Sequence, residues 1–288
     1  MNYKVLVTAI GGDVGQGIAK ALRLMEYPVY IYGSDCNMEN AGKIFCDEYI
    51  YLPPASHNKY IAKLLELVTE KCINIIYIAS EYELYRISDQ IEDFDISIKA
   101  KLLINDKQLI DICKDKYKTI SYLQDIGVPT PKTFDSRVVS NLECIKEAIG
   151  FPLIVKPRIS SGSRNVFVVK SEVELEYVIR NQTGFILQEY IDGEEYTNAV
   201  FKDLFTKRVF NLSMKRELRF GLTYKCEVAK NQQIENVCVK IAQQLDCKFP
   251  INIQLRVKNG VPYVFEINPR FSSTTGIRAK FGFNDVKF

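Results

Sequence analysis

The chain has 288 residues, enough for roughly two domains with a full core, and its 47% hydrophobic and 25% charged content is ordinary for a soluble globular protein. A net charge of +3 argues against nucleic acid or an anionic membrane as a partner, and no apolar run approaches the roughly 20 residues of a membrane span. Eight cysteines without a C-x-x-C pair suit reduced thiols in a cytoplasmic protein, while a single histidine, His57, nearly excludes His-based zinc sites and Ser–His or Cys–His catalysis.

Residues 4–10 (KVLVTAI) read as an apolar first strand running into Gly11, Gly12, Gly15 and Gly17. A helix follows, striped by Val14, Ile18, Ala21, Leu22 and Met25, and then a strand, Val29–Tyr32, ending at Asp35. This is the opening of a Rossmann-type βαβ unit. Its glycines do not complete G-x-G-x-x-G, because Ile10 stands where the first belongs. Packing at a strand-to-helix turn therefore outweighs dinucleotide binding. Tyr60, Ile61, Leu64, Leu65 and Val68 stripe another helix, and Ile73–Ala79 reads as a buried parallel strand. Glu83, at the start of the next helix, either faces a substrate or simply favours the helix dipole. Leu102–Ile104 is one more strand, and the first domain spans residues 1–105.

The second domain, residues 106–288, opens with a helix capped by Asn105 or Asp106 and running to Ile126. A helix with Val139, Leu142, Ile145 and Ile149 leads to Pro152–Pro157, a strand that delivers Lys156. Ser160, Ser161, Gly162, Ser163, Arg164 and Asn165 then form a loop whose small residues let backbone N–H groups approach phosphate oxygens. Val166–Val169 closes a hairpin, so residues 128–187 are expected to be a mobile lid. Phe185–Leu187 is a strand entering Gln188, Glu189, Tyr190 and Ile191. Strands follow to Val228, with a basic cluster of Lys215, Arg216, Arg219 and Lys225; most of these cations are expected to be solvated and a few to face an anion. Residues 234–245 form an amphipathic helix, and Phe271–Phe283 is polar and small.

The most informative stretch is the pair of runs at residues 251–257 and 262–270. Glu266, Asn268 and Arg270 share one strand face at a spacing of two. A carboxylate beside an amide oxygen makes a hard-cation site suited to Mg²⁺ with phosphates, and the Arg can neutralise charge on a phosphoryl group. Gln254 alternates with Ile253 and Leu255, so it lies on a polar face. A three-residue loop, Lys258-Asn259-Gly260, would pair Val257 with Val261 and put Gln254 on the face of Glu266; a two-residue Asn-Gly loop would put them on opposite faces.

Q-L-R…E-I-N-P-R, together with Lys116, Lys156-Pro157, the Ser/Gly loop and Gln188–Ile191, resembles the ATP-grasp superfamily, and within it the carbamoyl-phosphate synthase large subunit and carboxylate–amine ligases. The resemblance runs from about Val5 to Asp285. It implies an N-terminal Rossmann-like (pre-ATP-grasp) α/β domain followed by an α+β ATP-grasp fold that clamps ATP between two halves. By the same resemblance Lys116 reaches the α-phosphate, and Lys156 with Ser161, Gly162 and Ser163 meets the other phosphates. Gln188, Glu189, Tyr190 and Ile191 hold adenine, and Glu195 binds ribose. Gln254, Glu266 and Asn268 hold Mg²⁺, for which Mn²⁺ can substitute, and Arg270 and Lys156 act on the transferred charge.

The implied activity is an ADP-producing ligase that activates a small carboxylate as an acyl phosphate and couples it to an amine or ammonia. Its rivals are carbamate or bicarbonate phosphorylation, an ATP-binding module with little activity, and a dinucleotide-dependent oxidoreductase. Relatives usually continue past the position of Asn284, whereas four residues follow it here. Slow turnover of Mg-ATP is therefore expected unless a homodimer or partner subunit closes the cleft. Ile277, Phe281 and Phe283 would be short of cover.

Overall fold

A computed structural model describes residues 3–137, 142–160, 162, 164–181, 183–219 and 221–287. Its first unit contains β1 (Tyr3–Val7), α1 (Asp13–Leu22), β2 (Val29–Asp35), β3 (Glu48–Tyr51), α2 (Tyr60–Glu70), β4 (Ile75–Tyr77), α3 (Glu81–Gln90) and a short α4 (Ile96–Lys99). The strands form one parallel sheet in the order β3-β2-β1-β4. Leu102 adds only a single bridge to Ile76, so the strand expected at 102–104 is one residue pair.

The glycine turn after β1 is filled by the chain itself. A Cβ on Gly11 would lie 2.7 Å from Asn40 Cγ, and one on Gly15 would lie 2.5 Å from the Ala9 carbonyl oxygen. Asp35, at the end of β2, accepts the Gly11 N–H at 2.9 Å and the Asn37 N–H at 2.9 Å. Close packing accounts for these glycines.

The helix expected to run from a cap at Asn105 or Asp106 to Ile126 is two helices, α5 (Lys107–Lys114) and α6 (Lys116–Asp125). Asp115 between them is extended (φ −106°, ψ 110°), and its side chain accepts the N–H groups of Tyr117 (3.0 Å) and Lys118 (3.4 Å). Capping by a short carboxylate competes with helix continuation and wins here. The break makes Lys116 the first residue of a helix rather than an interior one.

Two antiparallel sheets follow. One is built from β5 (Thr133–Asp135), β6 (Leu153–Pro157), β7 (Phe167–Val169) and β8 (Phe185–Glu189), in the order β5-β8-β6-β7, with α7 (Leu142–Ile149) and α8 (Glu172–Asn181). The other is built from β9 (Glu194–Lys202), β10 (Val209–Arg219), β11 (Leu222–Ala229), β12 (Ile251–Lys258) and β13 (Val261–Asn268), in the order β11-β10-β9-β12-β13. The amphipathic α9 (Gln232–Gln244) buries Ile234, Cys238 and Ile241 against the apolar face of this second sheet. Its opposite face is left to polar side chains.

The β12–β13 turn departs from the expected three-residue loop. Lys258 pairs with Val261, so the loop is Asn259-Gly260, with both residues at positive φ (51° and 80°). The register then shifts between Gln254 and Leu255. That bulge skips Phe265 and returns Gln254 to a position directly opposite Glu266. A tight turn and a bulge thus reach the shared face by a different route.

The polar run after Arg270 contains a further helix, α10 (Thr275–Lys280), packed on α1. Phe271, Ala279 and Val286 join the core of the first unit with Val5, Val7 and Ile18. Arg278 and Asp285, both buried, pair at 3.0 Å, and the Tyr77 hydroxyl donates to the Val286 carbonyl at 2.8 Å. Ile277 and Phe281 are exposed, whereas Phe283 packs on the Phe201 ring at 5.8 Å. Among the described residues no helix is long and apolar enough to cross a membrane.

Glu83 is buried in the first unit and accepts the Thr8 hydroxyl at 2.6 Å. It lines neither of the two cavities that hold the other candidate site residues. Burial raises its carboxyl from 4.5 to about 7, against the pull of the Thr8 hydrogen bond. A raised folded-state pKa gives stability that is complete below pH 4.5 and lost as pH rises through about 7. Glu83→Gln should therefore match wild type near pH 4.5 and exceed it increasingly up to pH 8, by roughly 3 kcal/mol at most. Urea melts of both proteins across that range test this, and a pH-independent difference would refute it.

Candidate active site

The two antiparallel sheets face each other across a cavity of about 210 Å³. Lys116, Lys156, Gln188, Glu189, Tyr190, Ile191, Glu195, Gln254 and Glu266 all line it. A second cavity of about 130 Å³ adjoins it and is lined by Gly162, Asn268 and Arg270, with Asp13 and Val14 from the start of α1. Ser161 and Ser163 lie outside the described residues. The structure thus brings the remaining sequence-predicted residues to two adjoining cavities.

At one end, backbone and amide groups converge. Gln188 Nε2 donates to Thr133 Oγ1 at 2.9 Å, which orients its oxygen as an acceptor. The Glu189 N–H donates to the Lys132 carbonyl (2.8 Å), and the Ile191 carbonyl accepts from Arg256 Nη1 (3.1 Å). Ile154, Val168, Leu218 and Phe265 supply apolar walls.

Glu195 takes two arginines. Arg216 reaches its Oε1 at 2.8 Å and Arg256 its Oε2 at 2.8 Å. Glu194, next in the strand, points outward and pairs with the exposed Lys215, as strand alternation requires. Arg216 and Arg256 are site residues to which the sequence reading gave no individual role. The alternation Asn252, Gln254, Arg256 on the polar face of β12 is the signal for Arg256. Arg216 is hidden among three other cations.

Lys116 and Lys156 frame the far end. Lys116 Nζ donates to the Ser160 carbonyl (2.8 Å) and hydroxyl (3.2 Å) and lies 4.0 Å from Glu266 Oε1. Lys156 is buried beneath the Phe265 ring, with Nζ 5.4 Å from the centroid. Burial lowers its ammonium to about 8, with Glu266 pulling the other way and Lys116 adding to the depression.

Gln254, Glu266 and Asn268 offer one carboxylate and two amide oxygens. Among the described residues no cluster of three or more His, Cys, Asp or Glu could hold a metal alone. One carboxylate with neutral oxygens fits Mg²⁺ that draws its remaining ligands from phosphates and water. Gln254 Oε1 also accepts from Arg216 Nη2 at 2.9 Å, which leaves it one lone pair.

Arg270 is held from the first unit by an ion pair with buried Glu81. Burial pushes the Glu81 carboxyl up, and Arg270 opposes that shift. Sequence reading singled out Glu83 on this helix with two readings left open; residues two apart on a helix face different ways, and Glu81 is the one that meets Arg270. Arg270 Nε and Thr223 Oγ1, both bordering the second cavity, are buried without hydrogen-bond partners among the described residues.

The sequence pattern of the ATP-grasp domain matches residues 113–274. The chain belongs to the ATP-grasp family. It is 26% identical over 197 residues to the carbamoyl phosphate synthase large chain of Thermoanaerobacter pseudethanolicus, covering 63% of this chain but 18% of that protein. Its fold is similar to that of the L-amino acid ligase from Bacillus licheniformis (TM-score 0.76, 19% identity, 99% of this chain and 72% of that one). It is also similar to N5-carboxyaminoimidazole synthetase from Staphylococcus aureus complexed with ADP (TM-score 0.75, 15% identity, 94% of this chain and 72% of that one).

Arg158 roots this site. It is buried between Asp115, which it contacts at 3.0 Å through Nε, and Asp135, at 2.6 Å through Nη1. Its carbonyl accepts the Lys116 N–H at 2.9 Å. Removing the shared cation leaves the Asp115 charge buried. Arg158→Met should lower unfolding free energy by about 3 kcal/mol, whereas Arg180→Met, at an exposed pair, should stay within about 0.5 kcal/mol. Denaturant midpoints for the two variants check this.

Proposed function

We propose that the chain is the nucleotide-binding and phosphoryl-transfer part of an ADP-forming carbon–nitrogen ligase. The observation that carries this is the joining of two cavities at Gln254 and Glu266, one lined by Gln188–Ile191 and both lysines, the other by Arg270. ATP would lie with adenine against Gln188–Ile191, ribose at Glu195 and phosphates at Lys116, Lys156 and the Ser/Gly loop. A carboxylate in the second cavity attacks the terminal phosphorus, the bond to ADP breaks, and an acyl phosphate forms. An amine or ammonia then adds to the acyl carbon, phosphate leaves with the bonding pair, and the proton lost by the nitrogen passes to the departing phosphate or to water. Arg270, held by Glu81, and Lys156 neutralise charge on the moving group. Mg²⁺, held by Glu266, Gln254 and Asn268, would supply further neutralisation. No side-chain nucleophile is needed.

We read the first unit, residues 1–105, as a Rossmann-like partner of an ATP-grasp domain at 106–288, with 128–187 as its moving half. The similarity to carbamoyl phosphate synthase large chains favours a second reading, phosphorylation of bicarbonate or carbamate. ADP release that requires both a carboxylic acid and an amine supports the ligase; dependence on bicarbonate supports the second reading. Tight NAD binding without ATP binding would overturn both.

Glu266→Gln should cut Mg²⁺-dependent turnover by about 10²-fold or more and leave metal-free ATP binding nearly intact. Near-normal turnover would remove Glu266 from the metal site.

Lys156 adds a pH signature. Phosphate oxygens raise an ammonium depressed to about 8, so nucleotide binding takes up a proton above that pH. Metal-free ATP affinity should hold below pH 8 and fall about tenfold between pH 8 and 9.5. Lys156→Met should bind more weakly with a flat profile. Calorimetry in buffers of different ionisation enthalpy reads the proton uptake directly.

A further inference from the structure

The basic cluster on β10 divides by direction. Lys215 points outward to Glu194, with both side chains well exposed, and Arg219 lies over the Tyr224 ring at 5.4 Å. Arg216 alone turns inward, its side chain 9% exposed. Among the described residues, three side chains line both cavities: Arg216, Gln254 and Glu266. The last two are the metal candidates, so Arg216 stands at the passage between nucleotide and acceptor.

Its guanidinium is fixed along one edge. Nε and Nη2 donate to Glu195 Oε1 at 3.0 and 2.8 Å, and Nη2 donates to Gln254 Oε1 at 2.9 Å. Those contacts use the Nε hydrogen and both hydrogens of Nη2. Nη1 has no hydrogen-bond partner among the described residues. Charge is also left over, because Glu195 is shared with Arg256 and one carboxylate cannot balance two guanidiniums. An inward Arg with a free donor pair and uncompensated charge recognises a phosphoryl or carboxylate group.

We propose that Arg216 is a further catalytic residue, whose Nη1 donates to the terminal phosphoryl group of ATP as it passes from the first cavity to the second. The proposal rests on the ATP reading above. The competing role is a clamp that merely orients Glu195 toward ribose. The two differ in which part of the nucleotide they affect.

Mg²⁺-ADP and Mg²⁺-β,γ-imido-ATP are titrated by calorimetry into wild type, Arg216→Met, Arg216→Lys and Lys215→Met. Arg216→Met should hold ADP affinity within about threefold and lose tenfold or more for imido-ATP, the size of one charge-assisted hydrogen bond. Arg216→Lys should fall between, and Lys215→Met should match wild type for both ligands. Equal losses for ADP and imido-ATP indicate the clamp and overturn the proposal, as does no change in either. Should Arg216→Met fail to fold by circular dichroism, Arg216→Lys decides by the same comparison of ligands. A wild type that binds neither nucleotide overturns the ATP reading and this proposal with it. A wild type that binds both, with an unmoved ratio in the variants, overturns the role of Arg216 alone.

Discussion

The cleft depends on one cross-strand pairing, Gln254 opposite Glu266 on the polar face of the second sheet. A strand side chain changes face with every one-residue slip. Without the bulge at Phe265, Glu266 would turn toward the apolar layer that holds Ile253 and Leu255. The same strand sets the opposite edge of the site, because β12 pairs with β9 so that Arg256 stands across from Glu195. Register thus fixes the metal candidates and the arginine pair together. Burial of the other face against α9 makes that register hard to shift.

Electrostatics then set what the cleft can receive. Lys156 is desolvated enough to lose much of its basicity, and Glu195 is outnumbered by its two arginines. A buried excess of positive charge costs energy in an empty cleft and is relieved by an anion. Polyphosphate suits this arrangement better than a neutral ligand. The free-state cost is an investment in preorganisation, since the donors need little rearrangement when the anion arrives.

The first unit contributes to the site although its own glycine turn is packed shut. Glu81 reaches from α3 to hold Arg270, and Asp13 and Val14 line the second cavity. The segment after β13 packs into the core of this unit through Phe271, Ala279 and Val286. That packing fixes the strand end carrying Asn268 and Arg270 against α3. On the other side, the sheet carrying Lys156 meets α6 through Arg158 and through the Lys116–Ser160 contact. These polar ties join that sheet to the start of α6.

The sequence by itself determined the order of elements, the apolar faces and the residue types at the site, because periodicity and local chemistry are written residue by residue. The alternation of Gln254, Glu266 and Asn268 with apolar neighbours was readable in this way, as was the strand that delivers Lys156. Other features were settled by the folded chain. The break at Asp115 depends on capping combined with a distant partner, Arg158. The two-residue turn at Asn259-Gly260 is compatible with the site only because a bulge compensates for it. α10 carries a weak pattern of its own and gains its face from α1. Glu81 rather than Glu83 meets Arg270, and Arg216 rather than Lys215 turns inward, because direction on a helix or strand becomes a location only when neighbouring elements are in place. Local propensity specified each piece; long-range contacts, which no single window of sequence contains, decided which charges share a cavity.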